Sequence, residues 1–388
     1  MDFFRKSLTA LVATTLMTGA TLATAADSTI RIGFIAPMSG TFGDYGKKLY
    51  NALLAYQKVN GDTIEGKKIE IIVRDNSNSS PATAKRLAQE LLTRDKVDIL
   101  TGFALSSDAL AVAPLATEAK TPMVVLESGA TNLTDKSPYM VRTCYTGYQM
   151  AAPMGEWAPK NGVKKAFILV SDYQSGYDSE DAFKKSFTEH GGTVVGSVHV
   201  PLNNIDFSPY VQRIKDSGAD AVYVFIPGGQ LLTAFMKSYT ERGLAQSGIR
   251  VLLSMTDMVP EYLNPMGDGA LNLTTSMMYF YTLNNPQNAM FQKAYQSIAH
   301  EKGGAIVVTA YDGMALIYAA IHKLKGNVSD GAKVVDAMRG MTIDSPRGQF
   351  TIDAKTRDIV QTVYIAKIVK QNNEYVPTII DSFANVKP

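Results

Sequence analysis

Residues 97–126 read VDILTGFALSSDALAVAPLATEAKTPMVVL. Residues 97–101 form a short apolar run, 106–118 carry small and apolar residues at helical spacing, and 123–126 are apolar again. Strand, helix and strand within thirty residues make a βαβ unit, whose strands must be parallel and whose sheet is covered by helices.

The same alternation extends outward. Upstream, strands at 30–36 and 68–73 alternate with helices at 43–60 and 81–94, the first of which sets Leu49, Ala52, Leu53 and Tyr56 on one face. A second series begins after Trp157, with strands at 165–170, 193–200, 221–226 and 250–253 and helices at 177–190, 208–217 and 230–243. Two such series, joined by an irregular stretch at 143–147, predict an α/β fold of two doubly wound lobes. A chain of 388 residues is too long for one ordinary core, and with 46% of its residues hydrophobic it can fill two.

The last hundred or so residues hold helices at 287–302, 309–325 and 330–338 but strands only at 348–352 and 360–368. That is too little sheet for a third core, so these pieces are expected to complete the first two. The first lobe then comprises 27–143 with 284–343, and the second 147–279 with 347–388. Crossings near 143–147, 279–284 and 342–347 make a three-crossing hinge, which places a cleft at the strand carboxyl ends.

The chain opens with Arg5 and Lys6, an apolar stretch from Leu8 to Leu22, and the small residues Ala23, Thr24, Ala25 and Ala26. That order predicts a secretory signal peptide over residues 1–26, cut after Ala25 or Ala26. Five threonines and Gly19 dilute the apolar run and leave it short of the ~20 apolar residues of a spanning helix. With no cysteine near the cut to carry a lipid, the mature chain is expected to be soluble in the periplasm. The single cysteine, Cys144, makes no internal disulfide and suits a buried apolar position. Without Arg5, Lys6 and Asp2, the 38 basic and 36 acidic residues leave a formal charge of +1, which argues against nucleic acid or an anionic membrane as partner.

Catalytic signatures are missing from the sequence. Residues 61–67, GDTIEGK, share the spacing of a phosphate-binding P-loop, but Lys68 stands where Ser or Thr would hold magnesium and the segment precedes a strand. A surface turn accounts for it. No G-x-S-x-G elbow occurs, and His190, His199, His300 and His322 fall at no metal-ligand spacing, so neither an enzyme nor a metal or other cofactor is expected.

Binding signals are stronger. Ser106 or Ser107 is placed to cap the 106–118 helix, whose unpaired N–H groups and dipole favour a carboxylate; a plain structural cap would use the same residues. The next strand ends in ESGATN at 127–132, where small residues admit close backbone approach and Thr131 adds a donor, although Gly and Asn are also ordinary turn residues.

In these loops, and over residues 30 to about 382, the sequence resembles the leucine/isoleucine/valine-binding family, type I periplasmic binding proteins serving importers of branched-chain and hydrophobic amino acids. The likeness is carried by APMSG at 36–40 with Tyr45 and Gly46, the 102–107 loop, the 128–131 loop and residues 172–177. It implies the type I periplasmic binding protein fold. It also implies that Ser106, Thr131 and the backbone near Gly129 hold a ligand carboxylate, and that Tyr45 and Tyr177 line the cleft from opposite lobes. The implied partners are the membrane permease and ATPase subunits of an ABC importer, with the receptor itself a monomer.

Amino-acid-binding relatives set a second-lobe acid on the ligand ammonium. Here 253–258 read LSMTDM and offer Asp257, displaced by a residue or two, while 227–229 read PGG where such relatives often have a tyrosine. Other members bind aromatic carboxylates, which need no ammonium partner, and Phe42, Tyr45, Phe103, Tyr173 and Tyr177 can supply aromatic walls. The ligand is therefore expected to be a small organic carboxylate, with a hydrophobic amino acid and a benzoate-like acid both open. A ligand-sensing protein on the same fold is the rival function. A cytoplasmic regulator would lack the leader, and a sensor ectodomain would continue into a membrane helix.

Overall fold

The computed structural model describes residues 29–388 apart from 41, 78, 203–205 and 227–229, so the leader and the PGG segment lie outside the described residues. The first series runs β1 (Thr29–Ala36), α1 (Gly43–Asn60), β2 (Thr63–Ile64), β3 (Lys67–Asp75) and α2 (Pro81–Thr93). It continues through β4 (Ile99–Gly102), α3 (Ser106–Glu118), β5 (Met123–Val125) and β6 (Met140–Arg142). These strands form a six-stranded sheet in the order β2-β3-β1-β4-β5-β6, parallel except for β2. Ile32, Phe34, Leu100 and Val124 are fully buried, as expected of strands covered on both faces. The P-loop-like segment is the β2–β3 hairpin, whose two turn residues, Glu65 (φ 49°) and Gly66 (φ 74°), are both left-handed as such a tight turn requires.

Beyond β6 come α4 (Gly147–Lys160), β7 (Lys165–Ser171), α5 (Gln174–Glu189), β8 (Thr193–Val200) and α6 (Ser208–Asp216). They are followed by β9 (Ala221–Phe225), α7 (Gln230–Glu241), β10 (Arg250–Ser254), α8 (Pro260–Leu263) and β11 (Leu273–Met277). The chain then returns to the first sheet. There α9 (Pro286–Ala299) and α10 (Ala305–Lys323) pack on α1, and α11 (Gly331–Met338) packs on α10 and β6. By length and apolarity α10 would suit a membrane span, yet it is a core helix, buried along most of its length.

The last strands are β12 (Thr342–Ile343), β13 (Phe350–Ile352), β14 (Ile359–Gln371) and β15 (Glu374–Val386). They extend a second sheet of order β12-β13-β14-β11-β10-β9-β7-β8, with β15 also paired to β14. Strands β7 to β11 are parallel, and β14 joins β11 antiparallel. Strand β15 escapes a reading based on burial because it is mostly exposed or half-buried; pairing with β14 recruits it. Helix α5 begins at Gln174, three residues before the expected 177. Its first turn is pressed onto the end of β7, where a Cβ on Gly176 would lie 1.9 Å from the Ser171 carbonyl oxygen.

Buried arginines tie the passages between the sheets. Arg347 donates from Nε to Asp312 on α10 at 2.7 Å, from Nη2 to the Thr143 carbonyl at 3.0 Å, and from Nη1 to Gln361 on β14 at 2.6 Å. Arg142 pairs with Asp358, with Nε 2.8 Å from Oδ1, and its Nη1 holds the Ser128 and Ala130 carbonyls at 2.9 and 2.6 Å. The loop after β5 is thereby fixed from beneath.

Candidate ligand-binding site

Residues at or just past the carboxyl ends of strands in both sheets line one cavity. The first sheet's side supplies Phe42 and Tyr45 from the start of α1, Ala104, Leu105 and Ser106 after β4, and Glu127, Ser128 and Gly129 after β5. Tyr145 enters from the first passage between the sheets. The second sheet's side supplies Tyr173 and Ser175 at the start of α5, Phe225 at the end of β9 and Met255 after β10. Strand carboxyl ends, where the sheet order reverses, are where open α/β sheets leave a crevice.

Local sequence explains how the loops reach it. At Gly102 (φ 111°) a Cβ would lie 2.2 Å from the Ile35 carbonyl oxygen, and that close approach lets the Phe103 N–H bond Ile35 at 2.8 Å. Phe103 (φ 68°) and Met255 (φ 55°) are both left-handed without being glycine. Such residues cost on the order of 1 kcal/mol and persist where the surroundings over-determine the backbone, commonly at ligand sites. Ser106 Oγ accepts the Ala130 N–H at 3.1 Å, joining the two loops through the oxygen's lone pair and not its proton. Tyr145 donates its hydroxyl to Glu127 Oε1 at 2.5 Å.

Of the seven residues expected to bind the ligand, Tyr45, Ser106 and Gly129 line the cavity and the other four do not, while of the further aromatic candidates Phe42 and Tyr173 also line it. Ser107 is exposed, and neither serine caps α3: the capping position falls to Leu105, which makes no side-chain cap bond. Thr131 gives its N–H to Asp178 Oδ2 at 2.8 Å, a contact between the β5 loop and α5. Tyr177 is 36% exposed, bonded to Asp172 and edge-on to His199; because α5 begins early, Tyr173 occupies the cavity position. Asp257 is buried and engaged by α10, accepting the Ala305 N–H on Oδ1 at 3.0 Å. Phe103 belongs to the core and not to the aromatic wall.

Sequence reasoning passed over Glu127, Tyr145, Ser175, Phe225 and Met255. For Glu127 a signal existed: an acid set directly on the apolar run 123–126 at a buried sheet edge. Tyr145 lies in an irregular passage with no period to read.

Residues 29–373 match the family described as periplasmic binding protein. The chain belongs to the periplasmic binding protein family. A Leu/Ile/Val-binding protein homolog of Brucella melitensis biotype 1 is 38% identical over 370 residues, covering 95% of this chain and 93% of its own. A solute binding protein of an ABC transporter from Rhodopseudomonas palustris BisB5, solved with 3,4-dihydroxybenzoic acid, is 43% identical with a TM-score of 0.89, covering 93% of this chain and 98% of its own. Another from R. palustris, solved with 4-hydroxybenzoate, is 37% identical with a TM-score of 0.88, covering 92% and 98%. The resemblance carried by the sequence motifs is thus borne out, and so is the α/β fold of two sheets with helices.

In this periplasmic binding protein burial pushes the Glu127 carboxyl from about 4.5 up to about 8, opposed by the Tyr145 hydroxyl and helped by nearby Asp257. Burial likewise raises Asp257, to about 6. Between those two values for Glu127 the folded chain keeps a proton that the unfolded chain has lost, so this group's stabilising contribution falls as pH rises through that window. Glu127→Gln is expected to flatten the fall. Calorimetric melting between about pH 5 and about pH 8 should show a larger loss for the wild type than for the variant. Equal slopes would mean that Glu127 is ionised in the fold.

Proposed function

We propose that this periplasmic binding protein is the soluble, non-enzymatic receptor of an ABC importer and that it captures an aromatic carboxylate. The carrying observation is the cavity lining: five aromatic rings, from Phe42, Tyr45, Tyr145, Tyr173 and Phe225, surround a space in which Glu127 is the one acidic or basic lining residue among those described. A flat ring is well matched to such walls. The first turns of α3 and α5, with Ser106 and Ser175, offer N–H groups, positive dipole ends and hydroxyls to its carboxylate. An amino-acid ligand needs an ionised carboxylate for its ammonium, but Asp257, the acid expected for that role, is bonded to α10, and Glu127, the acid in the lining, already takes the Tyr145 hydroxyl and is pushed up to about 8 by burial. The hydroxybenzoates bound by the two R. palustris relatives support the same reading.

In this proposal Ser106 and Gly129 take the carboxylate and Tyr45 is a wall, while Ser107 and Tyr177 have no ligand contact. The lobes that close in this proposal are 27–143 with 284–343 and 147–279 with 347–388. After cleavage at Ala25 or Ala26 the monomer works in the periplasm and docks the permease and ATPase subunits. Thermal-shift titration tests the ligand class. Benzoate-type acids at a hundred times Kd should stabilise the fold by about 2.7 kcal/mol, and leucine should not. A leucine shift without a benzoate-type shift would overturn the proposal.

A further inference from the structure

We propose that Glu127, backed by Tyr145, pairs with a ring hydroxyl of the ligand and makes the cavity select hydroxylated aromatic acids over unsubstituted benzoate. The inference rests on the aromatic-carboxylate reading and adds the residue that sets its specificity. An acid is a poor neighbour for an anionic ligand, since two carboxylates in one enclosed space repel. A cavity made only for benzoate has no use for Glu127. Its hydrogen-bonding capacity is also unfilled. Oε1 takes the Tyr145 hydroxyl at 2.5 Å, but Oε2 has only the Thr309 hydroxyl at 3.4 Å. The single proton of that hydroxyl goes to the Ile306 carbonyl at 2.7 Å. Among the described residues no Lys, Arg or His lines the cavity, so a ligand group is left to complete the pairing.

The ionisable groups around Glu127 are Tyr145, Cys144, Tyr45, Tyr173, Asp257 and Arg347. Burial pushes the three phenols and the thiol up, so they stay protonated, and Asp257 titrates lower, near 6. Arg347 is tied to Asp312. Near neutral pH the raised Glu127 carboxyl is largely protonated, which lets an anionic ligand enter and a hydroxyl exchange a hydrogen bond with it. A buried polar group aimed at a hydroxyl rejects the analogue that lacks it.

Calorimetric titration of the wild type with 4-hydroxybenzoate, 3,4-dihydroxybenzoate, benzoate and leucine tests this, beside the double variant Glu127→Leu/Tyr145→Phe. That variant removes both partners together and strands neither. The wild type should bind the hydroxy acids at least about tenfold more tightly than benzoate, and the double variant should bring that ratio close to one. A wild-type ratio near one, or a ratio unchanged in the variant, overturns the inference and leaves the aromatic-carboxylate reading standing. Binding of leucine alone removes both. Should the double variant fail to fold, Glu127→Gln decides: wild-type affinity for 4-hydroxybenzoate should weaken between about pH 7 and about pH 8.5 as Glu127 ionises, and the variant's should not. Equal weakening in both would place Glu127 away from the ligand and overturn the inference.

Discussion

Replacing Arg347 by methionine is expected to destabilise the protein by about 3–5 kcal/mol, because it breaks a buried ion pair from one side. Arg347 is 2% exposed and Asp312 fully buried. The Asp312 carboxylate receives Arg347 Nε on Oδ2 at 2.7 Å and the Ser345 hydroxyl on the same oxygen at 2.8 Å, while Oδ1 has no hydrogen-bond partner. Burial already pushes this carboxyl up against the pull of the guanidinium, so its ionised form is held at a cost even in the intact protein. Methionine fills the volume of the arginine stem and supplies none of its donors. The same change frees the Thr143 carbonyl and Gln361, so α10, the first passage between the sheets and β14 lose their shared anchor at once. Adding Asp312→Leu should restore part of the loss, since an apolar pair replaces an orphaned charge. Denaturant melts of the two variants measure the coupling. A single variant as stable as the wild type would show that the passages are held by packing alone.

That anchor marks the limit of what the sequence discloses. Helices at 43–60 and 106–118 and the strand at 193–200 are legible to the residue, because each is a periodic apolar pattern with a clear break on both sides. Edge elements are not. The start of α5 depends on Gly176 meeting the Ser171 carbonyl, a contact outside any period, and reading it three residues late transferred the cavity role from Tyr173 to Tyr177. Ser106 was legible because a helix that follows a strand directs its first turn to the sheet edge. The role of Glu127 is not legible in its loop, for it comes from Tyr145 and Thr309, which lie 18 and 182 residues away. Arg142 and Asp358, separated by 216 residues, are likewise invisible as a pair until the chain has folded.

Asp257 shows the same gap from the other direction, and Gly304→Ala is expected to expose it by weakening ligand binding roughly 30- to 150-fold at unchanged stability. The backbone at Gly304 (φ −96°, ψ −165°) is one that any residue adopts, so alanine brings no intrinsic strain. What stands in the way is Asp257, whose Oδ2 and Oδ1 would lie 2.0 and 2.2 Å from the new Cβ. Asp257 follows β10 of the second sheet, whereas Gly304 leads into α10, which packs on α1 over the first. Under the proposed lobe closure the clash would therefore exist only in the closed form. In that arrangement Asp257 accepts the Ala305 N–H at the positive end of α10, and on the same side Lys48 of α1 lies over the Tyr262 ring at 5.1 Å. Under the proposed lobe closure, the clash and the lost bond to α10 together disfavour the closed form by about 2–3 kcal/mol, and apparent affinity falls with the population that can bind. Small-angle scattering should find the variant extended at concentrations of a benzoate-type acid that compact the wild type. Removing the obstruction with Asp257→Ala in the Gly304→Ala background should recover part of the compaction, because the Cβ then has room. Unchanged affinity and compaction in Gly304→Ala alone would mean that Asp257 and α10 stay in contact whether or not the protein holds its ligand.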